Sequence, residues 1–168
     1  MIRSLKRGVA GLATFSGRDP RRIFWPYVGV LILLATLVMG AVNSIFVITV
    51  IATTGPNDMP DLGPMVLAMT VEIVAIVALL AAAVVRRLHD TGRAGYWGLL
   101  PLPFVTFSLL GFNILFRDFA RRPEGVPPVF FAIFISNSLY MAALLLLIVL
   151  LAQPTKAGAN RYGEPQAS

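Results

Sequence analysis

The chain contains no cysteine and a single histidine, His89. The first absence excludes disulfides, thiolate nucleophiles and zinc–thiolate sites; the second excludes histidine-cluster metal centres. Charge is scarce as well. Only 13% of the 168 residues are charged, against about a quarter in a soluble globular domain. There is no H-E-x-x-H and no acidic cluster. Gly92-Arg93-Ala94-Gly95 is too short for a phosphate loop and follows a helical pattern rather than a strand. Nothing in the sequence brings a serine to His89. No catalytic residue, cofactor or metal ligand is therefore assigned, and an enzyme is not expected.

Apolar residues are what the chain has in abundance: 57% of it is hydrophobic, and the mean hydropathy is +0.80. Four apolar runs predict an all-α integral membrane protein with four transmembrane helices, over about 26–52, 65–85, 96–116 and 129–152. A basic segment, 1–23, precedes them, and a polar tail, 153–168, follows and is expected to be loosely ordered. In the first segment Ile2, Leu5, Val9 and Leu12 recur at helical spacing. They predict a short basic amphipathic helix on the membrane surface, too weakly apolar for a signal peptide. Asp19-Pro20 reads as an N-cap and first helical residue. Pro101 and Pro103 predict a kink or a late helical start in the third run, and residues 117–128 read as a polar loop.

Eleven of the fourteen basic residues fall in the segment 1–23, the stretch 86–97 or the tail. By the positive-inside rule this predicts an N-in/C-in topology, with Arg117, Arg121 and Arg122 the discordant group outside. The net charge of +6 flanks apolar runs instead of forming a soluble face. That distribution points to the lipid bilayer and its anionic headgroups as partner, and away from nucleic acid. A homo-oligomer or a membrane-protein partner stays open.

The stretch Arg86-Arg87-Leu88-His89-Asp90-Thr91-Gly92-Arg93-Ala94-Gly95-Tyr96-Trp97 is the densest mix of charge, glycine and aromatic residues in the chain. If the second span continues helically to Asp90, Arg87 and Asp90 share one face; Arg86 lies three residues before His89 and four before Asp90. Gly92 is placed to end the helix in a left-handed conformation, Gly95 to permit the turn back, and Tyr96-Trp97 to anchor the next span. The simpler reading is a capped, charged hairpin turn at headgroup level. The sharper one is a headgroup or partner site with Arg86, Arg87, Arg93 and His89 as donors and Asp90 orienting them. Arg18, Arg21 and Arg22 would then enlarge it or pair with Asp90.

Glu72 is the one charge in the second span. An acid there costs about 2.5–3.5 kcal/mol near the bilayer centre and is a functional hypothesis by default. Asn43 and Asn137 lie toward the same outer half, so the three form a candidate intramembrane polar site. They serve either for hydrogen bonds between helices or as a proton or cation site.

Three pieces of the sequence resemble one bacterial family, the "domain of unknown function 805" inner-membrane proteins. Arg86-Arg87-Leu88-His89-Asp90-x-Gly92-x-x-Gly95-Tyr96-Trp97 looks like its signature. Phe15-Ser16-Gly17-Arg18-Asp19-Pro20-Arg21-Arg22-Ile23-Phe24-Trp25 is similar to its F-x-G-R-x-x-R-x-x-F-W motif, and Asn160-Arg161-Tyr162-Gly163 to its C-terminal tail. Ala94 and Tyr96 stand where Ser and Trp are common, and the loop 117–128 is longer and more charged than usual. The resemblance implies a compact multi-span protein of the bacterial inner (plasma) membrane and implies no activity. The function expected is that of a non-enzymatic inner-membrane component whose basic cytoplasmic collar binds anionic lipid or a partner protein. The alternative is a small transporter or ion-conducting protein using Glu72.

Overall fold

The computed structural model describes residues 2–55, 61–121 and 128–164, without the side chains of 113 and 116–121. A short helix α1 (Ile2–Ala10) is followed by α2 (Arg21–Thr53), α3 (Gly63–Asp90), a 3₁₀ turn (Gly95–Leu99), α4 (Leu102–Arg121) and α5 (Pro128–Ala152). Four helices, counting the 3₁₀ turn with α4, are long and apolar enough to cross a membrane. The chain is a multi-pass, all-α membrane protein. Among the described residues the only β pairing is an isolated bridge between Asn160 and Gly163.

The four runs read from the sequence all become helices, with shifted ends. The second span does continue to Asp90, which keeps Arg86–Asp90 on one rigid helix. The third starts late. Pro101 and Pro103 bracket the first residue of α4, where a missing backbone N–H costs no intrahelical bond. That helix then runs on to Arg121, so the loop expected at 117–128 is shorter than predicted. Residues 122–127, with Arg122 and Glu124, lie outside the described residues, as does Asp58 of the first loop.

Asp19 does not cap α2. The N-cap position is Pro20, without a side-chain cap bond, and the Asp19 carboxylate is drawn away to two arginines. Within α2, Pro26 cannot donate to the carbonyl of Arg22 four residues back. The Ser4 hydroxyl of α1 donates to that freed carbonyl at 3.3 Å, so a defect in α2 becomes the docking point of α1.

Helix α1 buries Ser4 and Gly8, not the apolar stripe that its spacing predicts. A Cβ on Gly8 would lie 2.2 Å from the Tyr27 ring, so the small residue is what lets α1 lie flat on α2. Leu5 packs partly onto the core, while Ile2 and Val9 face outward. The packed core sits at this same end of the bundle: Phe24, Tyr27, Val28, Ala83, Leu88, Leu147 and Leu151 draw α2, α3 and α5 together. The Tyr27 hydroxyl donates to the Leu79 carbonyl at 2.9 Å and ties α2 to α3. At the α4–α5 seam Gly111 meets Ile133, and Ser136 donates to the Phe104 carbonyl at 3.0 Å. Away from these contacts the helices expose apolar side chains such as Leu33, Leu37 and Ile48, which suits a lipid surround.

Candidate functional site: a buried ion-pair collar

The N-terminal segment, the end of α3 and the C-terminal tail meet at one end of the molecule, and two aspartates organise the junction. Asp90 is fully buried. Its carboxylate accepts from Arg87 one helical turn back, from Arg18 Nε at 3.3 Å and from Thr155 Oγ1 at 2.7 Å. Asp19 is 2% exposed; it accepts from Arg86 Nε at 2.6 Å and from Arg7 Nε at 3.1 Å. Its backbone N–H donates to the Arg86 carbonyl at 3.1 Å, so the segment before α2 is pinned to α3 by main chain as well as side chain.

The arginines outnumber the two carboxylates, and backbone carbonyls take up the remaining donors. Arg18 donates to the carbonyls of Lys156 at 2.6 Å, Gly158 at 2.8 Å and Gly163 at 3.1 Å. Arg86 reaches the carbonyls of Gly11, at 2.6 Å, and Thr14. Arg87 donates to Leu151 O at 2.8 Å and to Gln153 O, and Arg21 to Ala152 O and to Gln153 O at 3.1 Å. Helix α5 thus ends with its last carbonyls, orphaned by the helix, capped by two guanidinium groups. The planar fork of arginine allows this many-carbonyl clasp where a lysine would make one contact.

Gly92 closes α3 as the sequence predicts. Its φ is +82°, its N–H donates to His89 O at 3.0 Å, and the Arg93 N–H donates to Leu88 O at 2.9 Å. This is the paired 5→2 and 6→1 pattern of a left-handed helix cap. Gly95 acts differently from the expectation: its backbone is ordinary, and it is small because a Cβ would lie 2.7 Å from Val85 Cγ1.

The tail is not loose between residues 153 and 164. Besides the Arg18 clasp, the Lys156 N–H donates to Asp90 O at 2.9 Å and Asn160 Nδ2 to His89 O at 3.0 Å. The Tyr162 ring stacks on His89 with centroids 3.7 Å apart, and His89 Nδ1 lies 3.3 Å from Gly17 O.

The sequence-derived site residues therefore divide. Arg18, Arg86, Arg87, His89 and Asp90 come together, but four of them are buried and turned inward onto protein partners. Arg18, Arg86 and Arg87 do not act as headgroup donors but hold the fold together, because they are buried and, apart from Arg86 Nη2, their guanidinium nitrogens are spent on carboxylates and carbonyls of the chain. Arg86 pairs with Asp19, not with Asp90. Arg22 is exposed and Arg93 half-exposed. Sequence reasoning missed Arg7 and the tail carbonyls, and placed Arg21 at the collar without its partners, the carbonyls of Ala152 and Gln153. The similarity of Asn160–Gly163 to a family motif was the one signal pointing to the tail.

Glu72, Asn43 and Asn137 do not converge. Asn43 donates to Met39 O at 2.8 Å and Asn137 to Ile133 O at 3.1 Å, each on its own helix. Neither lines the groove that holds Glu72. Among the described residues no three His, Asp or Glu side chains gather as metal ligands would.

The family model described as "Protein of unknown function (DUF805)" matches residues 12–164. The chain belongs to this family. The match takes in the whole collar apart from α1 and Gly11, so the ion-paired junction is a feature of the DUF805 region of the chain. Neither the curated proteins nor the solved structures contain a match.

Proposed function

We propose that this DUF805 protein is a non-enzymatic component of a bacterial inner membrane, with the collar on the cytoplasmic side and anionic lipid headgroups as its partner. The single observation that carries the reading is the outer face of α1. Ile2 is 71% and Val9 61% exposed, Arg3 and Lys6 are exposed beside them, and Ser4 and Gly8 hold the opposite face on α2. A short helix with apolar and cationic residues on its free side, fixed at the level where the spans end, suits the boundary of headgroups and acyl chains. The buried arginines do not serve this contact. Buried Arg86 sets the height and angle of α1 through the Gly11 and Thr14 carbonyls, and the half-buried Arg7 of α1 adds its bond to Asp19.

The bias of basic residues toward the collar end supports the cytoplasmic assignment. The mutual engagement of the collar's polar groups supports a non-enzymatic role, since a reacting group needs a face open to substrate.

Each basic residue near an anionic surface is worth about 1 kcal/mol. Arg3→Ala with Lys6→Ala should therefore weaken phosphatidylglycerol binding about 30-fold at low salt, measured by native mass spectrometry of the detergent-purified chain. Phosphatidylcholine should be indifferent to the change, and high salt should erase the difference. An undiminished preference for phosphatidylglycerol in the double variant would remove the headgroup reading.

A further inference from the structure

Glu72 sits on α3 fourteen residues before Arg86, about 21 Å along the helix at 1.5 Å per residue. Both of its carboxyl oxygens are buried, and neither has a hydrogen-bond partner. Glu72 lines a groove of about 250 Å³ between α2 and α3. On the α2 side the lining is Leu31, Leu34, Ala35 and Val38; on the α3 side it is Ala75, Ile76 and Leu79. None of the seven is titratable, charged or able to donate a hydrogen bond from its side chain. Toward the collar, the Tyr27 hydroxyl is committed to Leu79 O.

A carboxyl group in such surroundings leaves its hydrogen bonding unmet, which is costly where no water can substitute. Elsewhere in the described spans Thr70, Asn43, Asn137 and Ser138 meet this demand by turning back to a carbonyl of their own helix, and the Ser108 hydroxyl is the one other buried side-chain group without a partner. At Glu72 two carboxyl oxygens go unmet. The groove is also open on its lipid side, where Leu34 is 52% and Val38 55% exposed.

We infer that the Glu72 groove is a binding site for a lipophilic organic cation, with the carboxylate as its counter-ion and the apolar walls as its solvent. The volume sets the size of the guest. A dry cavity of about 150 Å³ holds benzene, so this groove takes an aromatic or short alkyl body with a compact cationic head. Charge decides between a cation and a neutral guest. A neutral molecule gains the apolar walls alone, whereas a cation also gains Coulomb attraction in a medium of low dielectric, where it is strongest. The inference is independent of the headgroup reading of α1.

Benzyltrimethylammonium and its uncharged isostere neopentylbenzene separate the two contributions. Equilibrium dialysis against the full-length chain in a non-ionic detergent should show saturable binding of the cation, near one per chain. Glu72→Gln should weaken that binding on the order of tenfold or more, because the Coulomb attraction between the ammonium and the carboxylate is lost, and leave neopentylbenzene unaffected. Ala75→Leu, which fills the groove and keeps the carboxyl, should weaken both ligands. Equal cation binding by the wild type and Glu72→Gln would overturn the inference, as would binding of the cation no tighter than of its neutral isostere. A change of oligomeric state in Glu72→Gln, with no cation bound by the wild type, would assign the groove to a second copy of the chain and overturn it too.

Discussion

One helix, α3, carries two buried acids and treats them in opposite ways. At its collar end Asp90 is surrounded by Arg18, Arg87 and Thr155, and every oxygen has a donor. Midway along, Glu72 has no donor at all. Burying an ion pair is not in itself stabilising, because removing both charges from water costs about as much as their attraction returns. What makes the collar hold is how nearly complete its bonding is: both aspartates are fully engaged, and of the buried guanidinium nitrogens only Arg86 Nη2 is without an acceptor. The excess guanidinium donors end on carbonyls at the end of α5 and in the tail, groups that helix geometry leaves unpaired. The collar is thus a nearly closed polar network that fixes how three parts of the chain meet. The groove is an open valence. A membrane protein spends its internal polarity on architecture at one end and leaves it unspent at the other, and the unspent group is the better place to look for a ligand.

Two substitutions should move stability in opposite directions if this contrast holds. Asp90→Ala leaves Arg18 and Arg87 buried without their carboxylate, and breaking a buried pair from one side costs about 3–5 kcal/mol. The thermal midpoint of the detergent-purified chain should fall steeply or the chain should fail to accumulate. Glu72→Leu removes a buried group that has no partner to lose and extends an apolar surface. It should raise stability, by about 1–3 kcal/mol, the cost of an unsatisfied buried polar group. A fall of the midpoint in Glu72→Leu comparable with that in Asp90→Ala would show that the chain supplies a partner to Glu72 and would erase the comparison.

How much of this was legible beforehand depends on whether a contact follows helical spacing. Arg87 and Asp90 are three apart, and their pairing is readable from one helix. So is the left-handed cap at Gly92, since little else ends a helix with that residue order. Arg18 as a partner of Asp90 follows from topology, which puts both at the same membrane face. Arg86 was misread for a physical reason. It too lies within reach of Asp90 by spacing, yet its side chain points to the Gly11–Asp19 segment, whose path no periodicity encodes. The tail was misread because its ligands to Arg18 are peptide carbonyls, which every residue has and no composition reveals. For Asn43 and Asn137, sequence gives depth in the bilayer but not rotation about the helix axis. In spans this uniformly apolar there is no polar face to fix that rotation, so similar depth did not mean contact.

The smallest test concerns the edge of the collar, where the network gives way to packing. Tyr162 lies flat on His89, with 6° between ring planes, and the Arg161 guanidinium sits 4.7 Å from the Tyr162 ring centroid. No charge of the collar depends on this stack. The Arg18 clasp on Lys156, Gly158 and Gly163 and the Asn160 bond to His89 O survive its loss. Tyr162→Ala should therefore cost only about 0.5–1.5 kcal/mol, the usual worth of a stacked pair, and the cost should be local. The expected readout is faster tryptic cleavage after Lys156 and Arg161, both exposed, with the global midpoint nearly unchanged. Tyr162→Phe keeps the ring and should cleave at the wild-type rate. If Tyr162→Ala also cleaves at that rate, the guanidinium clasp alone holds the tail, and the closed network extends to the last described residues of the chain.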